Sequence, residues 1–511
     1  MLVKTYAAAV QGIDAEIVTC EVSSSAGIRI LMVGLPDATV KESRDRIQAA
    51  VEHIGIKFPR KQIIVNLSPA DIRKEGAHYD LPLAVGILAS SELVLQDHLD
   101  EYLIVGELSL DGYIKPIKGA LPIAIKAREM KYKGIILPRE NAREAAVVNN
   151  LTVYGMNHLR EVVDFLNDKT VPQPLVINTR QEFLNATNHY DLDFEDVKGQ
   201  ETVKRAFEVA AAGGHNLLMI GPPGAGKSMM AKRLPSILPP LSMPEALETT
   251  KIHSVAGYKL DKGLITQRPF RSPHHTISSV ALIGGGANPA PGEVSLAHNG
   301  VLFLDELPEF SRQVLEVMRQ PLEDRKICIA RAKSTVTYPS GMMLVASMNP
   351  CPCGYYNHPT RECVCAGGAV KKYLNKISGP LLDRIDIQIE IVPVPFEAIS
   401  SARNGESSGS IRERVGRARN IQEERFKNEP GIYCNAQMSS RLLNRYAVPD
   451  EAGLKRLKLA MQAFSLSARA YDRILKVART IADLDGDREI AVKHITEAIG
   501  YRNLDRENWA G

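Results

Sequence analysis

Leu217-Leu218-Met219-Ile220-Gly221-Pro222-Pro223-Gly224-Ala225-Gly226-Lys227-Ser228 is the stretch that decides how this chain folds. Four consecutive apolar residues read as a strand buried on both faces, as in the middle of a parallel sheet. The strand runs directly into G-x-x-x-x-G-K-S, and a helical segment follows. That order of strand, glycine-rich turn and helix is the context in which this spacing makes a phosphate-binding loop. Glycines let backbone N–H groups curl around phosphate oxygens, and the helix N-terminus adds its positive dipole. Gly221, Pro222, Pro223, Gly224, Ala225 and Gly226 are therefore the expected cradle for ATP. Lys227 reaches the β- and γ-phosphates, and the Ser228 hydroxyl is placed for Mg²⁺.

Further along, a second apolar strand, Val301–Leu304, ends in Asp305-Glu306. Asp305 is expected to hold Mg²⁺ through water, and Glu306 to polarise the attacking water as general base. A third strand, 343–347, leads to Asn349, which either orients that water or caps a turn before Pro350. Arg384 lies in Gly379-Pro380-Leu381-Leu382-Asp383-Arg384-Ile385-Asp386. It has two readings: a local salt bridge to Asp383 or Asp386, or an arginine that reaches a neighbouring subunit's γ-phosphate in a ring.

Around these motifs, 511 residues suggest about three domains. Hydrophobic residues at 44% and charged residues at 24% exclude disordered and fibrous classes. No stretch reaches the roughly 18 apolar residues of a membrane helix. Met1-Leu2-Val3-Lys4 lacks the basic-then-apolar opening of a signal peptide. The seven cysteines are an odd count, with four of them within 351–365, which argues for a reduced, cytoplasmic setting. The net charge of +4 is too weak to name a partner. From Arg403 onward there are 20 basic against 15 acidic residues, compatible with nucleic acid or with a solvated helical surface.

The expected fold class is multi-domain α/β. Residues 1–170 mix strands (28–34, 62–67, 102–105, 134–137) with helices (40–54, 81–88, 121–130) as an α+β domain. Residues 171–190, with Pro172 and Pro174, read as a linker. Residues 191–397 alternate strand and helix, as a parallel sheet requires. Residues 398–511 read as all-α, opening in an Asn-, Gly- and Ser-containing loop near 403–410. Helices are expected there over 411–426, 439–446, 451–464, 467–483 and 488–499.

Three further features carry chemistry. Cys351-x-Cys353, nine residues, then Cys363-x-Cys365 offers four thiolates for structural Zn²⁺ at the active-site edge. The one-residue spacing is tighter than the usual two to four, so free thiols, a redox disulfide or an iron–sulfur cluster stay open. Cys20, Cys328 and Cys434 read as buried or partly buried thiols. Residues 326–338 alternate apolar and polar side chains, a hairpin with Arg331 and Lys333 near its tip. These are cations suited to DNA phosphates, or else a solvated tip. His274 and His275 suit hydrogen bonding at an inter-subunit or DNA-facing surface rather than a metal. Aromatic residues are only 5%, with one Trp, which disfavours base stacking as a mode of strand binding.

The loop 221–228, Asp305-Glu306, Asn349 and Leu382-Asp383-Arg384-Ile385-Asp386 resemble the magnesium-chelatase branch of the AAA+ ATPases. Phe270-Arg271-Ser272-Pro273-His274-His275-Thr276 and Gly292-Glu293-Val294-Ser295-Leu296-Ala297-His298, with the domain order, make the chain similar to the ComM/YifB group over its whole length. The resemblance implies an AAA+ core with an insertion within 270–292, a hairpin before the Asn349 strand, and a homo-oligomeric ring, usually a hexamer. It implies that Arg384 is the trans-acting finger and that a lid arginine contacts the γ-phosphate. Arg469 matches that arginine best, with Arg473 one turn later as its competitor. In related helicases the hairpin corresponding to Arg331 and Lys333 grips DNA in the pore.

The amino-terminal block resembles the proteolytic domain of Lon (the ribosomal S5 domain 2-like fold), through Gly106-Glu107-Leu108-Ser109-Leu110-Asp111-Gly112, Pro116-Ile117-Lys118-Gly119 and Pro138-Arg139-Glu140-Asn141. It departs from Lon where the chemistry lies. His78 stands at the place of the serine and Leu121 at that of the lysine, so proteolysis is not expected. The implied function is an ATP-driven DNA motor, a helicase promoting branch migration in recombination and natural transformation. Its implied partners are single-stranded, duplex or branched DNA and recombination proteins, with no membrane. The rival readings are an ATP-dependent protein remodeller and, less well matched, a magnesium-chelatase motor subunit, which normally lacks a Lon-like domain.

Overall fold

Leu2–Gln11 and Asp14–Ser25 pair antiparallel from Leu2 opposite Ser23 to Gln11 opposite Asp14. Around this hairpin a seven-stranded sheet forms in the order Ile30–Val33, Gln62–Ser68, Asp14–Ser25, Leu2–Gln11, Tyr102–Ile104, Gly134–Pro138, Thr152–Met156. Pairing is parallel from Leu2–Gln11 outward to Thr152–Met156. Every residue of Tyr102–Ile104 and Gly134–Pro138 is buried, as parallel strands covered on both faces must be. The helices expected in this region are Ala38–His53, Asp80–Ala89 and Ala120–Glu129. Asp37 caps the first of them, accepting from the Val40 N–H at 2.8 Å. The second is buried throughout, and its Asp80 carboxylate accepts from Arg46 Nε at 2.7 Å and the Leu108 N–H at 3.2 Å. Those bonds offset the cost of burying the charge.

The structure, a computed structural model, describes the chain apart from residues 187–189, 287–288, 332–333, 395–404, 465 and 503–511. It forms two units. The first contains Met1–Thr187 together with Ser242–Thr266 and Ala332–Tyr338. Within Ser242–Thr266 lies the helix Met243–Ala256, opened by a capping box between Ser242 and Glu245. It is tied to the amino-terminal sheet and helices by Lys251 Nζ on Asp14 at 2.7 Å and by the Gly119 N–H on the Ser254 carbonyl at 3.1 Å. The expected linker carries a helix, Thr179–Ala186. His78 Nε2 sits 3.0 Å from the Ala8 carbonyl, and burial pushes the imidazole down to about 4 against the opposing pull of that carbonyl and Asp37. Leu121 is fully buried. These positions thus carry an imidazole and an alkyl side chain, with no hydroxyl and no amine.

The second unit contains Asn188–Leu241, Gln267–Arg331 and Pro339–Gly511. Its sheet has the order Phe270–Arg271, Val301–Leu304, Met343–Met348, Leu217–Ile220, Ile387–Glu390, with all four pairings parallel. Val301–Leu304, Met343–Met348 and Leu217–Ile220 are buried at every position, the fate their continuous apolar runs dictate. Register places Ile220 beside Met348 and Leu304 beside Ala346. Gly221, Asp305 and Asn349 therefore leave neighbouring strands at their carboxyl ends, where open α/β sheets bind ligands.

The carboxy-terminal helices are Ser408–Phe426, Ser440–Tyr446, Glu451–Ala463, Ala468–Asp485 and Val492–Gly500. The expected loop ahead of them lies outside the described residues at 403–404. Ile411, Val415, Ile474 and Ala478 join Phe207, Leu217 and Ile387 in one apolar core. Burying the larger of these side chains contributes about 1.5–3 kcal/mol each. Among these helices the buried Asp483 accepts from Arg425 Nη1 at 2.7 Å, Arg479 Nε at 3.1 Å and Asn435 Nδ2 at 2.8 Å.

Within 270–292 the chain forms the helix Ser279–Ile283 and a small ribbon, Gly284–Gly285 with Ala290–Pro291. Before the Met343–Met348 strand come two successive strands, Lys326–Arg331 and Ser334–Pro339. Lys333 lies outside the described residues. Alternation along Lys326–Arg331 buries Ile327 and Ile329 and turns Cys328 outward. Cys328 is thus exposed, which corrects the expectation of a buried thiol; Cys20 and Cys434 are buried. Among the described residues no helix is long and apolar enough to cross a membrane.

Candidate active site

The phosphate loop closes through Gly226, whose φ of 86° a residue with a Cβ adopts only with strain. The helix Lys227–Ile237 starts at the next residue, so its free N–H groups face the loop. Lys227 Nζ donates to the carbonyls of Gly221 at 2.7 Å and Pro222 at 2.9 Å, and to Asn349 Oδ1 at 3.0 Å. Burial lowers the Lys227 ammonium below its ordinary value, opposed by the carboxylates of Asp305 and Glu306. The ammonium is thus poised over the loop, as a phosphate-binding cation must be.

Asp305 is held at both oxygens. Ser228 Oγ donates to Oδ2 at 2.6 Å, Ser347 Oγ donates to Oδ1, and the Glu306 N–H reaches Oδ1 at 3.1 Å. A serine hydroxyl and a fixed carboxylate side by side are the oxygen donors a hard divalent cation takes. Glu306 adopts φ 55° and ψ 49°, a left-handed backbone uncommon for a non-glycine residue. Its carboxyl is half-exposed. With Glu309, Asn349, Pro352, Lys372 and Tyr373 it lines a cavity of about 440 Å³.

Neither local partner considered for Arg384 is the one it has. Its guanidinium donates to the Pro380 carbonyl at 2.7 Å and pairs with Glu323. Asp383 is taken by Arg469 at 3.3 Å, and Asp386 by Arg473 at 2.9 Å. Asp386 is buried and also lies 3.2 Å from His215 Nδ1. Burial would push its carboxyl up; the Arg473 and His215 interactions outweigh that and hold it well below the usual range. Arg473 is thereby committed to a buried ion pair, whereas Arg469 stands on an exposed one. Of the two, Arg469 is the one whose present partner is exposed and readily exchanged.

Sγ of Cys351 lies 3.3 Å from that of Cys353 and 3.7 Å from that of Cys363, and Cys353 and Cys363 are 3.6 Å apart. All four sulfurs, Cys365 included, lie within 4.8 Å of one another. Burial opposes ionisation of Cys353, but hydrogen bonds from the Tyr355 backbone and Cys351 bring that thiol down to about 6. The cysteine loop also touches the phosphate loop. Gly354 has φ 85°, and a Cβ there would come within 2.5 Å of Pro223 Cδ.

The structure thus brings together Lys227, Ser228, Asp305, Glu306 and Asn349, and separately the four cysteines. Of Arg331 it describes only the backbone, at the end of its strand. Two participants were not legible in the sequence, Ser347 on Asp305 and Glu323 on Arg384, while His275, expected at an inter-subunit or DNA-facing surface, has its Nδ1 3.6 Å from Glu306 Oε2. Of those two, Ser347 had a local signal, since it lies near the end of the apolar strand that leads to Asn349.

Residues 193–399 match the family described as magnesium chelatase, subunit ChlI, and residues 405–502 its ChlI C-terminal family. Residues 20–141 match the family described as subunit ChlI of Mg-chelatase. The chain is 44% identical over 501 residues to the "Uncharacterized protein YifB" of Salmonella typhimurium, covering 97% of this chain and 96% of that one. It is 42% identical over 503 residues to the "Competence protein ComM" of Haemophilus influenzae, covering 98% and 97%. Over 158 residues it is 30% identical to "Lon protease 2" of Bacillus subtilis, 27% of this chain and 26% of that protease.

Proposed function

The chain belongs to the ComM/YifB family of magnesium-chelatase-like AAA+ ATPases, and from that membership we propose that it is a ring-shaped, ATP-driven DNA motor, a helicase that promotes branch migration during homologous recombination and natural transformation. The observation that carries the reading is full-length similarity to a protein named for competence, in a chain whose phosphate loop, Asp305 and Asn349 converge on one site. Strands 326–331 and 334–339 flank the segment proposed to present Arg331 and Lys333 to DNA phosphates. Recombination proteins are its proposed partners, a hexamer its assembly and the cytoplasm its compartment.

Bound ATP and Mg²⁺ supply the phosphoanhydride and a Lewis acid. In this mechanism Lys227 releases the loop carbonyls and Asn349 to pair with the β- and γ-phosphates. Ser228 and Asp305, which bond each other here, would hold the cation, Asp305 through water. Glu306 takes a proton from the attacking water at its carboxylate while Asn349 orients that water. Arg384 leaves Glu323 and neutralises charge in the neighbouring subunit's site; Arg469 does so from the lid.

Steady-state ATP turnover is expected to rise several-fold with single-stranded, duplex or four-way-junction DNA, the ranking naming the substrate. If no DNA stimulates it and none binds at low salt, the motor reading falls. The Lon-like unit then favours ATP-dependent remodelling of proteins.

The four cysteines are proposed to hold structural zinc. A tetrahedron with Zn–S of about 2.3 Å requires sulfurs about 3.8 Å apart, close to the 3.7 and 3.6 Å that Cys363 keeps from Cys351 and Cys353, while Cys351 and Cys353 at 3.3 Å would part slightly around the ion. Because Gly354 abuts Pro223, stripping the metal is expected to weaken ATP affinity about tenfold, with the loop losing its brace. Elemental analysis before and after chelation, with nucleotide titration of each sample, checks this. Full affinity in metal-free protein would remove the brace.

A further inference from the structure

We propose that His275 is a positioning residue for the general base: its ring holds the Glu306 carboxylate in the orientation from which it takes the water's proton. The inference rests on the assignment of Glu306 made above and deepens it. A base acts only when its oxygen lies within about 3.2 Å of the water. Glu306 is a flexible, half-exposed side chain, and its strained backbone fixes where it starts but not where its carboxyl ends. Among the described residues the one basic nitrogen within 4 Å of its carboxyl is that of His275, Nδ1 to Oε2 at 3.6 Å, a spacing that a small turn of either side chain closes to a hydrogen bond.

The imidazole is itself held. Its ring lies 4.0 Å from that of His274 and meets Phe310 edge-on at 6.4 Å, while His274 Nδ1 sits 2.9 Å from Thr276 Oγ1. The other groups near Glu306 are committed elsewhere or differently placed. Lys227 is on its loop carbonyls and Asn349, Asp305 on Ser228 and Ser347, and Lys376 on Glu309 at 3.2 Å. Lys372 and Tyr373 lie on the cavity wall. His275 approaches from the segment that follows the edge strand Phe270–Arg271, which gives the 270–292 segment a direct hold on hydrolysis.

His275→Ala is expected to lower kcat on the order of 10- to 100-fold, the scale of a misaligned catalytic group. KM for ATP and the thermal midpoint should change little. His275→Gln, which keeps an N–H donor, should recover most of the rate, and His275→Phe, which keeps the packing alone, should not. Wild-type kcat in the alanine or phenylalanine variant, or a loss carried by KM, overturns the inference. Glu306→Gln run beside them separates the two levels. If it loses turnover while His275→Ala does not, only the positioning role fails; if it keeps turnover, the base assignment fails and this role with it.

Discussion

Arg384→Ala is expected to cut ATP turnover by about 10³–10⁵-fold, the range for an arginine that neutralises transition-state charge in phosphoryl transfer. Nucleotide affinity should change far less, because ground-state binding rests on the phosphate loop. The residue has a structural life as well, bonded to the Pro380 carbonyl and Glu323 with only 13% of its side chain exposed. Loss of activity alone would therefore not prove action across a subunit boundary. Mixing decides it. In a ring of Arg384→Ala and Glu306→Gln chains, an intact Glu306 site in one subunit meets an intact Arg384 from its neighbour, and turnover should reappear at those interfaces. Phosphate release that stays at background across all mixing ratios would make Arg384 a brace for Glu323 within its own subunit.

Glu306→Gln alone is expected to lower turnover by about 10²–10⁴-fold, the usual contribution of a positioned general base. The substitution keeps the shape of the side chain and leaves Lys227, Ser228 and Asp305 with their present partners. A fluorescent ATP analogue should bind as tightly as before, and the loss should appear in kcat. Turnover near wild type would pass the role to Glu309, the other carboxylate on the same cavity. These two variants also differ in kind. Arg384 is expected to act from a neighbour and Glu306 at its own site, so only the first should be complemented by adding a chain that carries it.

Both effects concern groups that the sequence marks by spacing, and the structure places their partners. The phosphate loop was legible because its chemistry is local: eight consecutive residues, running from the end of a strand into the first turn of a helix, define the backbone curl and the position of Lys227. Asp305-Glu306 and Asn349 were legible because each ends an apolar strand, and a parallel sheet gathers such ends at one edge. The carboxy-terminal helices showed through their periodicity. Leu2–Gln11 did not announce itself, since its run of three alanines has weak strand preference and the pairing with Asp14–Ser25 supplies the stability.

By itself, then, the sequence determined the parallel sheet, the glycine-rich loop at its carboxyl edge and the strand ends beside it, and it set His78 and Leu121 where a serine and a lysine are expected. Only the tertiary structure decided that Ser347 and Ser228 share Asp305, that Glu323 rather than Asp383 or Asp386 receives Arg384, and that His275 faces Glu306. It also decided that Gly354 rests on Pro223 and that helix Met243–Ala256 belongs with the amino-terminal unit. The reason is physical. Local spacing sets which backbone a segment adopts, but the partner of a side chain tens of residues away is set by strand order and packing, which only the assembled fold specifies.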